Sequence, residues 1–561
     1  MDVRRSILFI GLAIVSYMLI LAWNEDYGKQ TPVETALVSS QVNSVQPSFE
    51  STIAVKGTTD DDFSIPEETN SVSDSTVLIE KPNKTQLIQI TTDLLDMKID
   101  LIGGNITSTN MFEYDNTLGS DTPLALLQKN QYMHYVVESG LFGKNGLDST
   151  KNGPSPVYST NQLSYELLDG EDELTVDFSI KVDTGVSIIK RYTFKRDDYL
   201  IKVSYLIQND SMDTWEANFS GKIVRDQSGD PSEQSSMGMQ SFLGMALSSA
   251  EKPYEKYDFD QMLEEPVNTQ IEGGWVAFIQ HYFLSAWIPN TEITHTYQSR
   301  VKNGLYLMGF ISPATIVEAG QQTEVSANLY LGPKIIDKLE TAAPNLDLTV
   351  DFGWLFFIAT PLFLLMDFLY GIVQNWGIAI ILVTLVVKAL FFKLSAASYR
   401  SMANMRRVAP KLKSMKEQYG DDRQKMSQAM MALYKKEKIN PLGGCLPILV
   451  QMPVFIALYW VLLESVQLRH APFMFWITDL SVKDAYFVLP ILMGVSMFIQ
   501  MQLNPAPPDP MQAKVMKIMP VMMTVFFLWF PAGLVLYWLV NNVLSITQQW
   551  IITRQIEKEH A

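Results

Sequence analysis

The sequence predicts an α-helical polytopic membrane protein, with six transmembrane helices of which five form a core, and a large all-β sandwich between the first and second spans. Three observations predict it. Apolar segments of membrane-helix length occur at the start and in the last third of the 561 residues. Between them, short runs alternate apolar and polar side chains and are separated by turn residues, the period of half-buried strands. Charge divides the same way: residues 1–350 hold 24 Lys+Arg against 48 Asp+Glu and residues 351–561 hold 19 against 12, so the net −17 belongs to the front part.

With 47% hydrophobic and 18% charged residues and a mean hydropathy of +0.06, the chain lacks the composition of a soluble protein. A single cysteine, Cys445, excludes a disulfide framework. His134, His281, His295, His470 and His560 fall in no metal-ligand spacing, and neither a P-loop nor a G-x-S-x-G turn occurs. No enzymatic activity, metal, cofactor or direct nucleic-acid site is expected.

Residues 1–23 are the first element. Arg4 and Arg5 precede the 18 residues Ser6–Trp23, which as a helix reach roughly 27 Å, near the hydrocarbon thickness of a bilayer. The Asn-Glu-Asp after Trp23 lacks the small residues of a cleavage site, so an uncleaved anchor is expected. Residues 24–84 are polar, poor in aromatics and without period, and read as a flexible tether. The sandwich follows over 85–345. Its strands show in Gln86–Ile90, Leu163–Leu168 and Leu174–Ile180, and its turns in Asp169–Asp172 and Arg196–Asp198.

The apolar stretch Trp354–Val373 carries Pro361 and Asp367, so 346–375 is expected to be an amphipathic helix lying in the membrane interface. Residues 376–561 form the core, with spans at Gly377–Leu394, Leu442–Leu463, Ala485–Leu503, Val515–Phe530 and Leu534–Ile552. Residues 395–440, with 11 basic side chains against four acidic ones, are cytoplasmic by the positive-inside rule. Both termini then lie in the cytoplasm, and the acidic sandwich lies across the membrane. Within that loop Met405, Val408, Leu412, Met415 and Tyr419 step by three and four, Gly420-Asp421-Asp422 ends one helix and caps the next, and Met426, Met430 and Leu433 mark the second. This is a helical hairpin with a basic exterior that includes Arg406, Arg407, Lys411 and Lys413.

Inside the second span sits Lys388, where a lysine costs about 2.5 to 3.5 kcal/mol near mid-bilayer. Two readings stay open: a charge facing a polar lining, or a stem that snorkels to the interface six residues on. Thr384, at i−4, shares its face and offers a hydroxyl. Asn541, Asn542, Gln548 and Gln549 recur in the last span, where interhelical hydrogen bonding is the simplest reading. Of 28 methionines 16 lie between 402 and 523, soft side chains that suit partners of varied sequence.

The order of parts resembles the YidC-type membrane protein insertases in their Gram-negative form, over nearly the whole chain. The runs that carry the resemblance are NPLGGCLPILVQMPVFIALY from Asn440, APFMFWITDLS from Ala471, LPILMG from Leu489 and MPVMMTVFFLWFPAGLVLYW from Met519. The resemblance implies a non-enzymatic insertase and assembly chaperone of the bacterial inner membrane with a periplasmic sandwich. It acts alone or with the Sec translocon (SecYEG, SecDF), receives nascent membrane proteins from ribosome or targeting factors at cytoplasmic loops, and releases them to the lipid bilayer. By the same resemblance, Lys388 takes the place of the positive residue of a hydrophilic groove, usually arginine. Met452, Pro453, Phe455, Phe526, Trp529, Phe530 and Trp538 take the place of a hydrophobic slide. The short, weakly basic ending from Arg554 departs from relatives with long basic tails. A secondary transporter would show two hydropathy-related halves, which the core spans do not, and a sugar-binding periplasmic module on a membrane foot rests on the sandwich alone.

Overall fold

Alternation written into the strands becomes two faces in space. The computed structural model describes residues 86–149, 152–182, 184–232, 241–419, 422–437, 446–504 and 510–559; the predicted anchor, the tether and Cys445 lie outside them. All belong to one unit, Thr59–Ala561. In the strand Glu173–Lys181 the side chains of Val176 and Phe178 are fully buried, and in Leu87–Thr91 those of Ile88 and Ile90 are, as period two requires. The predicted turn at Arg196–Asp198 places Asp197 in the left-handed region, φ 53°, a conformation Asp tolerates.

Among the described residues the strands make two sheets. The larger has ten strands between the edges Asn268–Glu272 and Ser164–Glu166, and the smaller has eight between Glu255–Tyr257 and Glu173–Lys181. One parallel pairing, Leu87–Thr91 with Ser164–Glu166, stands among antiparallel ladders. Aromatic side chains bridge the sheets: Tyr135 meets Phe278 edge-on at 5.0 Å and Trp287 meets Phe310 at 6.1 Å. Gly221 is required there, because a Cβ would come within 2.7 Å of both the Phe310 and Trp287 rings.

His295 on the larger sheet is buried, its Nε2–H donating to the Asn290 carbonyl at 2.8 Å. Burial pulls its pKa below the usual histidine value. The folded chain therefore holds it neutral, and that stability is complete above the unfolded pKa of about 6.5 and declines as pH falls through the lower folded value. The melting temperature of the full-length protein is expected to fall between about pH 7.5 and 5.5, and His295→Gln should flatten the fall; parallel curves for the two proteins would show that His295 contributes nothing to it.

The helices are α1 (Phe259–Glu264), α2 (Ile336–Ala342), α3 (Phe356–Val373), α4 (Trp376–Leu390), α5 (Phe392–Tyr419), α6 (Arg423–Lys436), α7 (Leu446–Glu464), α8 (Val488–Leu503), α9 (Pro510–Phe527) and α10 (Ala532–Glu559). α3 runs through Pro361, buries Ala359, Phe363 and Met366 against α4 and α7, and leaves Phe356, Phe357, Leu364, Phe368 and Ile372 exposed. Tyr370 stacks on Trp376 at 4.0 Å and closes the turn into α4. α10 packs on α4, α5 and α8, and α9 on α8. Gly494 lets α8 and α9 touch, since a Cβ there would lie 1.9 Å from Thr524 Oγ1.

Hydropathy and helix geometry part company in one respect. Among the described residues the segment Gly353–Val373 alone is long and apolar enough to cross a membrane, while α4 and Phe392–Val408 reach that length only as a pair bent by 68°. The predicted span Gly377–Leu394 is cut at Phe391, where the N–H bonds to Ala389 and Val387 carbonyls. The chain then turns directly into the helix predicted to begin the hairpin, which starts at Phe392. No Pro or Gly marks this break; Gln548 Nε2 of α10 instead donates to the Phe392 carbonyl beside it at 3.1 Å.

Candidate functional site

Polar side chains collect where α4, α5, α8 and α10 meet. Lys388, 8% exposed, lies in the last turn of α4, and its Nζ donates to Ser545 Oγ of α10 at 2.8 Å. The ammonium thus turns inward between helices, and among the described residues no carboxylate pairs with it. Thr384 shares this face, as its spacing predicts, yet its hydroxyl donates to the Ile380 carbonyl one turn back at 2.7 Å. Its proton is therefore spent within α4. Ser395, Ser398 and Tyr399 of α5, which packs on α10, are buried, at 1%, 4% and 8% exposure.

On α10 the amides do what interhelical packing asks. Asn542 Nδ2 donates to Ser496 Oγ of α8 at 3.1 Å, and Gln549 Nε2 to the Leu503 carbonyl at 3.2 Å and Asn504 Oδ1 at 3.1 Å. Sequence reasoning named these amides and missed Ser545, Ser496 and the α5 hydroxyls. A signal existed for Ser545: positions 541, 542, 545, 548 and 549 share one helical face.

The residues mapped to the slide come together in part. Phe455 of α7 meets Trp538 of α10 edge-on at 4.8 Å, and Phe526 meets Phe530 at 4.7 Å. Phe527, Tyr459 and Tyr537, which the sequence reading left out, join them: Phe527 lies 5.1 Å from both Phe530 and Trp538, Tyr459 6.3 Å from Phe530 and Tyr537 6.1 Å from Phe455. Met452, Phe526 and Trp529 are exposed on the outer surface, whereas Phe530 is half-buried and Pro453 sits within α7.

The hairpin follows its pattern. Val408 and Tyr434 form a small core with Met405, Leu412, Met430 and Leu433, and Asp422 caps α6 by accepting from the Lys425 N–H. Arg406, Arg407 and Lys411 are exposed, with Lys411 2.6 Å and Arg407 3.6 Å from Glu437. α5 carries Lys413 as well, whose side chain lies outside the described residues.

Two further polar assemblies were not foreseen. At the seam between sandwich and helices, Lys334 and Glu464 form a buried ion pair of 3.0 Å, with 2% and 4% of their side chains exposed. Ser241 Oγ donates to the same carboxylate at 2.9 Å, His281 Nε2 to the Leu463 carbonyl at 2.9 Å, and Arg469 to the Asp115 carbonyl at 2.8 Å. On the larger sheet a polar cavity of about 290 Å³ is lined by Asp100, Asn105, Lys129, Glu138 and Lys302 among others. Beneath it Lys190 is buried against the Gly103 and Ser139 carbonyls, each 3.0 Å away. Burial pushes Lys190 down and Asp148 up from their ordinary pKa values.

Comparison with known proteins adds the following. Residues 368–559 match the family model described as 60Kd inner membrane protein, and residues 87–365 match that of the YidC periplasmic domain. The chain is 57% identical over 564 residues to the membrane protein insertase YidC of Marinobacter nauticus, across 100% of this chain and 99% of that one. It is 55% identical over 564 residues to the one of Hahella chejuensis, across 99% and 98%. A crystal structure of an active YidC insertase with its first transmembrane domain resolved aligns with 83% of this chain and 92% of that one at 17% identity, with a TM-score of 0.37, a likeness too weak to argue from.

Proposed function

The chain belongs to the family of YidC membrane protein insertases and is an inner-membrane insertase of that kind; we propose that it works through a polar groove centred on Lys388 and an apolar slide beside it. One observation carries the reading. A lysine ammonium is enclosed among helices with a serine hydroxyl as its partner and, among the described residues, no carboxylate to neutralise it. An uncompensated charge at that place is costly, and an anionic group arriving on a substrate tail would satisfy it.

In this reading a nascent segment enters from the cytoplasm and its short polar tail rests against Lys388 and the hydroxyls of α5 and α10, so the tail never meets bare hydrocarbon. The apolar remainder passes along Met452, Phe526 and Trp529 into lipid, driven by burial worth about 25 cal/mol per Å². No catalytic residue and no nucleotide is needed. In this arrangement there are six spans counting Ser6–Trp23, with α3, although long and apolar enough to cross, along the interface because it carries Pro361 and Asp367, both termini and the hairpin in the cytoplasm and the sandwich in the periplasm. The excess of basic residues over 395–440 supports these sides. The Sec translocon is the partner for larger substrates, and ribosome or targeting factors meet the hairpin.

Photo-crosslinkers at Met452 and Phe526 test the path, with Phe368 on α3 as the control. Adducts with the apolar part of a stalled nascent chain are expected at the first two. Equal labelling at all three would mean that the chain meets lipid without a slide. Removing residues 60–330 should leave insertion standing, and its loss would move the activity to the sandwich.

The hairpin supplies a separate expectation. Deleting residues 400–436 should reduce insertion several-fold at unchanged protein levels, because the basic exterior is lost while the packing of α4 and of α8 on α10 remains. Insertion at the parental rate, read by protease protection, would make the hairpin a solvated spacer.

A further inference from the structure

The last turn of a helix next to an interface gives a lysine the freedom to leave: its stem can carry the ammonium to water. Lys388 does not leave, and Ser545 is the group that holds it. Ser545 Oγ donates its own proton to the Asn541 carbonyl at 2.7 Å, so toward Lys388 it can only accept. The two residues are 3% and 8% exposed, which shields the 2.8 Å contact from competing water. The other hydroxyl on the face of Lys388, that of Thr384, has its proton committed to Ile380, and the nearby Asn542 amide is engaged by Ser496.

We infer that Ser545 is a positioning residue of the groove, which orients the Lys388 ammonium inward without neutralising it, and so sets the preference for carboxylates on the arriving tail. This rests on the reading of Lys388 as the groove charge. The choice of a hydroxyl is what matters. A carboxylate at 545 would hold the lysine equally well and cancel it, whereas a neutral acceptor occupies one of its three N–H groups and leaves two for a substrate oxygen.

The experiment uses the purified full-length protein in proteoliposomes. It measures protease protection of two single-span substrates that differ only in an acidic or a neutral tail, and labelling of Lys388 by a membrane-impermeant amine reagent. Ser545→Ala should lower the acidic-to-neutral insertion ratio by roughly tenfold, the worth of one hydrogen bond to a charged group, and raise the labelling of Lys388 as its head escapes to water. Ser545→Thr should restore both readouts, which a packing defect would not predict. Ser545→Asp should abolish the preference while keeping Lys388 unlabelled. An unchanged ratio and unchanged labelling in Ser545→Ala, with Lys388→Ala losing the preference in parallel, would overturn the role of Ser545 alone. A preference that survives Lys388→Ala would overturn the groove charge and this inference with it.

Discussion

Lys388→Ala is expected to cut insertion of a substrate with an acidic translocated tail by at least about tenfold and that of its neutral-tailed twin by less than about twofold. The size follows from the charge itself. Two unit charges about 4 Å apart attract by about 4 kcal/mol at an effective dielectric of 20, and a third of that, about 1.4 kcal/mol, is already tenfold. Lys388→Arg should insert both substrates, because the field is kept, although the planar fork would meet Ser545 differently. Lys388→Glu should be worse than alanine for the acidic tail and better for a basic one. Protease protection of the paired substrates in each variant reads the ranking. If alanine inserts both tails equally at parental protein levels, Lys388 serves as a membrane anchor and the groove carries no selective charge.

The second large effect is expected on stability. Glu464→Gln leaves Lys334 charged, 2% exposed and without its counterion, a loss of about 3 to 5 kcal/mol by the usual behaviour of a broken buried pair. The thermal unfolding of the full-length protein in detergent should shift down accordingly, and the seam near Ser241 should become open to protease. Removing both partners with residues of similar volume, Lys334→Met with Glu464→Leu, should recover most of the loss, because no charge is then left without a partner. If the double variant is as unstable as the single one, the seam depends on the ionic contact itself and on Ser241, not on the avoidance of a lone charge.

Local pattern carried much of this molecule. Val176 and Phe178, and Met405, Val408 and Leu412, all sit where spacing placed them, because each is fixed by neighbours within a few residues. What escaped is fixed by distant partners. Lys334 and Glu464 are 130 positions apart, and neither stands in a repeat or motif. Ser545 is small and uncharged, so on a hydropathy scale it is silent even though it decides where Lys388 points. The break at Phe391 has no Pro or Gly to announce it, and on either side of it α10 is bonded to the end of α4 through Ser545 and Lys388 and to the start of α5 through Gln548 and the Phe392 carbonyl. Tyr434 completes the hairpin core one residue past Leu433, on the same step of four from Met430 that the sequence offers and the heptad-like reading passed over.

The seam between sandwich and helices has a consequence for how such a chain can be recombined. Excising the sandwich exposes Glu464 to water, which solvates a carboxylate at little cost. Grafting a foreign sandwich covers Glu464 again, and unless the graft delivers a cation at the place of Lys334, an acceptor-matched donor at Ser241 and a surface that takes His281 and Arg469, the carboxylate is buried alone. A missing domain is therefore tolerated better than a mismatched one. Lys334 and Glu464 must travel together through any exchange between relatives, because each intermediate that changes only one passes through an unpaired buried charge.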